Sequence, residues 1–379
     1  MKTMNLLEIR DKLDVIDREI VELYQKRMEL CGEVARDKIR TGKKVFDPVR
    51  EAQKLDSVSA MVKTDFDKQA VRELYQQLMT LSRRLQFEIM TEYGKTFDTG
   101  YRKVDRLKTS GCRVAYQGVE GAFAHLAAVR SFHRDCGFYN VRTWRDAMEE
   151  VKSGRADYAV LPIENSSHGA VSDNFDLLLE YPELAIVAET DLKVDHMLMA
   201  REGASLDSLR KVYSHPQALG QCSQFFRNHP EIEAVPTINT AVAAKLVADS
   251  EDRTLGALAS EQAAELYGLT ILERSVNQDK NNTTRFIIVG AEKIFQKDAH
   301  KISLCFETAH QPGALYNVLG NFIFNNVNMI MIQSRPIPEK TFEYRFFADI
   351  EGRLDDANII NALNGVEDQI TELRILGCY

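Results

Sequence analysis

The first ninety residues carry an apolar stripe with a helical period. The stripe consists of Ile9, Leu13, Ile16, Ile20, Leu23, Leu30 and Val34. Steps of three and four residues predict an amphipathic helix over about residues 6–40, which would be roughly 50 Å long. Asn5, with Glu8 three residues later, predicts its start, and Thr41-Gly42 predicts its end. A single helix of this length cannot bury its own apolar face and must pack against other helices.

The pattern of apolar and polar residues changes twice more along the chain. Asp47-Pro48 predicts the start of a second helix, and residues 67–92 predict a third. Between Arg113 and Gly290, short apolar strands alternate with helical patterns, which predicts an α/β domain. Residues 301–379 predict the order strand, helix, strand, strand, helix, strand, which is that of a ferredoxin-like α+β sandwich. The predicted domains are residues 1–92, 112–290 and 300–379, with a linker over 93–111.

Composition excludes several classes of protein. The 379 residues include 48 Lys and Arg against 56 Asp and Glu, for a net charge of −8, which argues against a general nucleic-acid or membrane-surface binder. No apolar run approaches the roughly 20 residues of a membrane span, and the polar start predicts no export signal. The six cysteines lack CxxC spacing and no HExxH is present. We therefore expect a cytoplasmic protein with reduced thiols and with no metal site.

A charge interrupts the apolar stripe of the first helix. Arg27 lies between Leu23 and Leu30, and a buried charge must be paired or must hold an anion. Lys38 lies 11 residues on, about 20° around the helix and roughly 16 Å along it, so both side chains could hold one small dianion. A helical bundle with internal ion pairs would explain the same pattern.

The helical segment resembles the AroQ-type chorismate mutases over residues 5–90. The matching residues are Arg10, Arg27, Lys38, Asp47, Arg50, Glu51, Ser82 and Gln86. The resemblance implies an all-helical enzyme that rearranges chorismate to prephenate without a cofactor. It implies that Arg10 and Arg27 clamp the two carboxylates, with support from Arg50 and Ser82. Lys38 and Gln86 would be the catalytic donors to the ether oxygen, and Glu51 with Asp47 would hold the ring hydroxyl.

The position of Arg10 predicts a dimer without help from the family. Arg10 precedes Arg27 by 17 residues, which is about 25 Å along one helix and about 100° around it. One small substrate cannot touch both on the same helix. Arg10 is therefore predicted to serve the site of a two-fold partner, which makes the protein a homodimer or a higher homo-oligomer.

Short polar segments, here called junctions, follow several of the predicted strands in the α/β domain. They include Pro162–Gly169, Ser214–Gln217 and Asn282–Phe286. Such junctions present N–H groups and hydroxyls at the carboxyl ends of strands, where α/β folds bind anions, although a junction of this kind taken alone is more often an N-cap than a site. The absence of GxGxxG argues against a dinucleotide dehydrogenase.

Together these junctions resemble prephenate dehydratase across residues 112–290. The resemblance implies a two-lobed, periplasmic-binding-protein-like α/β unit that removes water and CO₂ from prephenate in the cleft between its lobes. Thr284 matches the essential residue that donates to the leaving hydroxyl. The residues expected to orient the substrate or supply charge are Asn165, Ser166, Ser214, Gln221 and Arg285. His125 and His215 are better general acids by pKa alone, but a structural, hydrogen-bonded histidine is the other interpretation.

The last segment resembles the ACT domain, a regulatory ferredoxin-like fold. Gly313, Ala314 and Leu315, with Ser334 and Arg335, occupy the places that carry phenylalanine-binding motifs in related dehydratases. The chain departs from those motifs at Gln333, where Glu is usual, and at Tyr316. The resemblance implies a phenylalanine site between subunits. We expect feedback to act more on the dehydratase than on the mutase, because this segment directly follows the dehydratase segment.

The combined prediction is a multidomain, bifunctional chorismate mutase–prephenate dehydratase of phenylalanine biosynthesis. Its partners would be chorismate, prephenate and the effector phenylalanine, with no nucleic acid or membrane. One alternative is a monofunctional dehydratase whose helical domain only dimerises or senses a ligand. Another is a non-catalytic sensor or solute-binding protein built on the two-lobed fold.

Overall fold

A computed structural model describes residues 5–94, 98–338, 340–367 and 369–379. The described chain forms two compact units. The first takes in the described parts of Met1–Thr99 and Leu304–Ile375, and the second takes in Gly100–Ser303 and Leu376–Tyr379. Residues 95–97 of the predicted linker lie outside the described residues.

The first unit begins with the three predicted helices, which the structure confirms. They are α1 (Leu6–Thr41), α2 (Pro48–Ser59) and α3 (Asp65–Glu92). Asn5 and Glu8 form the predicted capping box, and Gly42 ends α1 with a φ of 70°. Both α1 and α2 pack against α3. The apolar stripe of α1 stays largely uncovered by its own chain, because Leu23 is 65% exposed and Leu30 is 68% exposed.

The second unit is an α/β structure. Its strands are β1 (Arg102–Val104), β2 (Arg113–Gln117), β3 (Gly137–Val141), β4 (Tyr158–Asn165), β5 (Gly169–Ala170), β6 (Ala185–Lys193), β7 (Met197–Ala200), β8 (Lys211–Ser214), β9 (Glu233–Pro236), β10 (Leu255–Ala259), β11 (Thr270–Glu273), β12 (Thr283–Gly290) and β13 (Ile294–Gln296). Its helices are α4 (Phe123–Ser131), α5 (Trp144–Lys152), α6 (Ser172–Glu180), α7 (Pro216–Gln221), α8 (Ser223–Asn228), α9 (Thr240–Asp249) and α10 (Glu261–Tyr267).

Two sheets give this unit its two lobes. One sheet has the strand order β6–β12–β4–β2–β3, and the other has the order β11–β7–β10–β8–β9. Each sheet packs its own helices over a separate apolar core. The chain crosses between lobes after β6 and again before β12, where the N–H of Val194 donates to the carbonyl of Asn282 at 2.8 Å. The predicted two-lobed α/β fold is confirmed.

One part of the predicted linker is a strand. β1 lies within residues 93–111 and pairs in parallel with β13. Arg102-Lys103-Val104 lacks an alternating apolar pattern, so the pairing, and not the local sequence, makes it a strand.

The last segment has the predicted βαββαβ order. Its elements are β14 (Lys301–Thr308), α11 (Ala314–Phe324), β15 (Met329–Pro336), β16 (Tyr344–Glu351), α12 (Ala357–Glu367) and β17 (Ile370–Cys378). The strand order β15–β16–β14–β17 is that of a ferredoxin-like sandwich. Within the first unit, α12 packs against α3 as well as against α11.

No helix in the described ranges combines the length and the apolar character that crossing a membrane requires.

Candidate active sites

Arg27 faces α3 in the helical segment. Its guanidinium donates to the hydroxyl of Ser82 and, at 3.1 Å, to the carbonyl of Leu78. The charge that interrupts the apolar stripe is therefore directed towards polar groups of α3. Ser82 is buried, and its hydroxyl donates to the Leu78 carbonyl at 2.6 Å.

Lys38 and Gln86 each donate a hydrogen bond to a backbone carbonyl. Lys38 donates from Nζ to the carbonyl of Val45 at 2.6 Å, across the connection between α1 and α2. Gln86 lies one turn beyond Ser82 on α3 and donates from Nε2 to the Ser82 carbonyl at 3.1 Å. Its Oε1 is buried without a hydrogen-bond partner among the described residues. Burying an amide oxygen in this way costs free energy, so this face of α3 leaves one polar group available to a ligand.

Glu51 has a partner that the sequence analysis missed. Its carboxylate forms an ion pair with Arg83, whose side chain is 9% exposed and lies over the ring of Phe46. Arg83 shares the buried face of α3 with Ser82 and Gln86. In the sequence, Arg83 could have been found as a charged residue on the same face of the third helix as Ser82 and Gln86.

The remaining predicted mutase residues lie at the surface of the chain. Asp47 caps α2 by accepting from the backbone N–H of Arg50 at 2.9 Å, and both residues are exposed. Arg10 is exposed on α1, and no described residue forms a hydrogen bond or ion pair with its side chain. The structure therefore does not bring Arg10 to Arg27 within one chain.

The second unit contains a cavity of about 450 Å³. Its lining includes residues from both lobes and from the ends of β4, β12 and α7. Of the predicted dehydratase residues, Asn165, Gln221 and Thr284 line it. The described lining also includes Trp144, His168 and His196, to which the sequence analysis assigned no role.

Hydrogen bonds around Asn165 fix the orientation of Thr284. These two residues are paired across β4 and β12. Asn165 donates from Nδ2 to Oγ1 of Thr284 at 2.9 Å and to Oδ1 of Asn282 at 2.8 Å. Its Oδ1 accepts from the backbone N–H groups of Ser167 and His168 at 3.0 and 3.1 Å. Because the Thr284 oxygen accepts from Asn165, its hydroxyl proton is left to be donated elsewhere.

Three predicted dehydratase residues do not line the described cavity. Ser214 is buried and donates to the carbonyl of Leu258 at 2.6 Å. Ser166 accepts from the N–H of Thr283 at 2.9 Å. Arg285 lies among carboxylates instead, with Glu164 at 3.4 Å, Glu189 at 3.8 Å and Asp191 at 4.0 Å.

The direction of Arg285 follows from strand geometry. Successive side chains of a strand point to opposite faces, and Thr284 and Phe286 on either side of Arg285 both line the cavity. The expectation that the guanidinium supplies charge directly in the cleft therefore disagrees with its position. A role for this residue would have to act through the carboxylates around it.

The histidines differ in position. His125 does not line the cavity; its Nδ1 accepts from the N–H of Gly121 at 3.2 Å, and its ring packs against Tyr116. His215 and His196 do line it. Burial lowers the pKa of all three imidazoles. This favours the structural interpretation for His125 and leaves it open for His215, which caps α7 by accepting from the N–H of Gln217 at 3.3 Å.

A further cavity, of about 580 Å³, lies in the ferredoxin-like segment. Its lining includes Gly313, Ala314 and Leu315 at the start of α11, with Glu343 and Phe346 opposite. Gly313 has a φ of 80°, a conformation that favours glycine. Ser334 and Arg335 lie on β15, opposite Phe346 and Arg345 of β16, and are not among the described residues of this lining.

Two family models match separate parts of the chain. The model described as chorismate mutase type II matches residues 9–87, which include α2 and most of α1 and α3. The model described as prephenate dehydratase matches residues 114–294, which span both lobes.

Relatives and solved structures extend these matches. The bifunctional chorismate mutase/prephenate dehydratase of Enterobacter agglomerans is 33% identical over 99% of this chain and 95% of its own length. A prephenate dehydratase from Arthrobacter aurescens, solved in complex with L-Phe, matches 70% of this chain and 89% of its own, with a TM-score of 0.65 and 28% identity. GqqA, described as a novel type of quorum quenching acylase, matches 70% of this chain and 96% of its own, with a TM-score of 0.64 and 32% identity. The chain belongs to the family of bifunctional chorismate mutases/prephenate dehydratases.

Proposed function

We propose that the chain catalyses two consecutive steps of phenylalanine biosynthesis at two separate sites, as a cytoplasmic enzyme. The helical segment, residues 1–92, converts chorismate to prephenate, and residues 112–290 convert prephenate to phenylpyruvate. Residues 300–379 form a regulatory domain that binds phenylalanine. The observation that carries the proposal is that two independent polar sites occur in the two segments that match the two enzyme families.

The mutase reaction suits the groups on α1 and α3. A pericyclic rearrangement needs neither nucleophile nor cofactor, only a compact substrate conformer and stabilisation of charge on the breaking ether oxygen. Arg27 binds one carboxylate beside Ser82, and Arg50 supports the clamp. Lys38 donates to the ether oxygen. Gln86 donates to it through the second N–H of its amide, because the first N–H is used on the Ser82 carbonyl. Glu51 and Asp47 hold the ring hydroxyl, and the ion pair with Arg83 orients Glu51.

The dehydratase reaction needs one proton at the leaving group. As the ring carboxylate departs as CO₂, its electron pair completes the aromatic ring and the ring hydroxyl leaves as water after gaining a proton. Thr284 donates to this hydroxyl, because Asn165 already occupies its acceptor side. Gln221 faces Thr284 from the other lobe and orients the substrate. Threonine is a weak acid, so it polarises the leaving hydroxyl through a hydrogen bond, and the proton that completes the water molecule is taken up from solvent.

The uncovered stripe of α1 supports a homodimer. Leu13 and Ile16 are each 50% exposed and Ile20 is 57% exposed, and a contiguous apolar surface of this kind marks an interaction site. A second copy of α1 running antiparallel would cover the stripe and bring its Arg10 to the other chain's Arg27. The mutase site is then completed by two chains.

Paired variants test the two-site proposal. Removing one electrostatic donor typically costs about 10²–10³ in turnover. Lys38→Ala should therefore lose most chorismate turnover and keep prephenate turnover, whereas Thr284→Val should do the reverse. Lys63→Ala, at an exposed lysine before α3, serves as the matched control for Lys38→Ala. Comparable losses of both activities in either variant would contradict separate sites.

A further inference from the structure

The cavity of the second unit, which is the proposed dehydratase cleft, has two buried polar atoms without a hydrogen-bond partner in its wall. Among the described residues that line it, these atoms are Nε1 of Trp144 and Nδ1 of His196. Folded proteins pair nearly all of their buried polar groups, and a ligand is one source of the missing partner. The chemistry of each atom therefore indicates which group of a ligand fits beside it.

His196 is buried in the wall of the cleft and is held from both lobes. It directly precedes β7 and is 2% exposed. Its Nε2 is 2.9 Å from Oε1 of Gln221, at the end of α7. Its ring packs edge-on against Phe123 of α4, with 5.7 Å between the two ring centroids. Both neighbours line the cleft as well, so the position of the imidazole is fixed before a ligand binds.

The hydrogen bond to Gln221 determines which nitrogen of His196 carries the proton. The amide nitrogen of Gln221 faces Nδ1 of His168 at 3.2 Å, so its amide oxygen is the atom directed at His196. An amide oxygen only accepts hydrogen bonds, so Nε2 of His196 is the donor. Burial lowers the pKa of His196 and outweighs the opposing effects of Gln221 and Asp195. The ring is therefore neutral, and its Nδ1 presents a lone pair that requires a donor.

Prephenate offers a hydrogen-bond donor at one place only. Its two carboxylates are ionised at neutral pH and its keto oxygen only accepts, so the ring hydroxyl carries the single donor of the molecule. Nε1 of Trp144, by contrast, is itself a donor and fits either carboxylate or the keto group. The acceptor on His196 is therefore the atom that selects one end of the substrate.

We propose that His196 is a substrate-binding residue of the dehydratase site, where its Nδ1 accepts a hydrogen bond from the ring hydroxyl of prephenate. This assignment rests on the dehydratase function proposed above. The hydroxyl oxygen accepts from Thr284 at the same time, so both its proton and its lone pair have a partner. Donating to His196 polarises the hydroxyl and makes its oxygen a better acceptor for the proton with which it leaves as water. The product phenylpyruvate has no ring hydroxyl, so it leaves Nδ1 unpaired.

Prephenate turnover and inhibition by phenylpyruvate together test the assignment. His196→Gln keeps an amide N–H for Gln221 but places no acceptor at the position of Nδ1. It should lower kcat/KM for prephenate about tenfold, the scale of one hydrogen bond, and leave the inhibition constant of phenylpyruvate unchanged. His196→Asn, whose amide oxygen can occupy the position of Nδ1, should lose less than His196→Gln. His133→Gln, at an exposed histidine that pairs with Asp135 outside the described cleft lining, is the matched control.

Three outcomes would overturn the assignment. The first is a parent-like kcat/KM in His196→Gln. The second is an equal weakening of prephenate turnover and phenylpyruvate binding, which would mean that the ring only shapes the cleft. The third is a loss in His196→Asn at least as large as in His196→Gln, which would mean that the contact with Gln221 matters instead of Nδ1.

Folding of the variants and the proposed function have separate readouts. Trp144 is the single tryptophan and lies in the second unit, so parent-like emission from it shows that this unit is folded in each variant. A parent that turns over chorismate but no prephenate would overturn the proposed dehydratase function, whatever the variants of His196 do.

Discussion

At the scale of single residues, neighbours in one motif have different surroundings. Thr284 lines the cavity and Arg285 contacts three carboxylates. The two-residue period of a strand was enough to predict this difference, whereas the motif alone placed both residues in the site. Ser166 and Ser214 were also expected in the cleft, yet both hydroxyls are used in hydrogen bonds to the backbone. Partners of this kind come from distant segments and cannot be inferred from local sequence.

Burial of His196 predicts acid sensitivity of the second unit. His196 is 2% exposed, and desolvation lowers its pKa. The unfolded chain then binds a proton more readily than the folded one. The stabilisation is present above the unfolded pKa of about 6.5 and is lost as pH falls below it. The free energy of unfolding should therefore drop from pH 7.5 to 5.5, and His196→Gln should reduce that drop.

Urea unfolding at the two pH values measures this effect. Trp144 is the single tryptophan of the sequence and lies in the second unit, so its fluorescence reports on that unit. His300→Gln, at an exposed histidine, is the control and should keep the parent's pH dependence. If His196→Gln also kept the parent's pH dependence of the free energy of unfolding, the buried neutral histidine would not be the cause of the acid sensitivity.

At the scale of elements, strong local signals predicted the structure well. The ends of α1 follow from the Asn5–Glu8 capping box and from Gly42. The order of β14–β17 with α11 and α12 follows from alternating strand and helix patterns. β1 could not be predicted, because its three residues are held as a strand by β13, almost 200 residues away.

The contact between α12 and α3 bears on regulation. Thr91, near the end of α3, donates to Oδ1 of Asn361 on α12 at 2.8 Å. α12 also packs against α11, which starts at the cavity lined by Gly313. Because α3 carries Ser82 and Gln86, a ligand in that cavity has a packed route to the mutase site. Feedback was expected to fall mainly on the dehydratase, and this packing predicts an effect on the mutase as well.

Phenylalanine titration of both activities tests that route. We expect millimolar phenylalanine to change both rates, by a coupling of about 1–3 kcal/mol. Gly313→Val should abolish both responses, because valine is strained at a φ of 80°. Thr91→Val removes the hydrogen bond to Asn361 and should weaken only the mutase response. A parent whose mutase rate ignores phenylalanine would contradict the route.

At the scale of the whole molecule, the sequence predicted three segments and their two reactions in chain order. It did not predict that the helical and ferredoxin-like segments belong to one compact unit. Thr91 and Asn361 lie 270 residues apart, and no local pattern marks them as neighbours.

Mixed dimers test whether two chains complete each mutase site. Arg10→Ala and Arg27→Ala chains should each lose mutase activity on their own. In a hybrid dimer, one site combines an intact Arg27 with the intact Arg10 of the other chain, so mixing should restore part of the activity. Absence of recovery in demonstrably mixed dimers would show that Arg10 does not act in trans.

The central claim is that one chain carries both reactions, and a single assay tests it most directly. Purified protein is given chorismate alone, and phenylpyruvate is followed by its absorbance in alkali. We predict that phenylpyruvate forms after a lag during which prephenate accumulates, because the first product must be made before the second site has a substrate. No phenylpyruvate from chorismate, under conditions in which added prephenate is consumed, would contradict the claim.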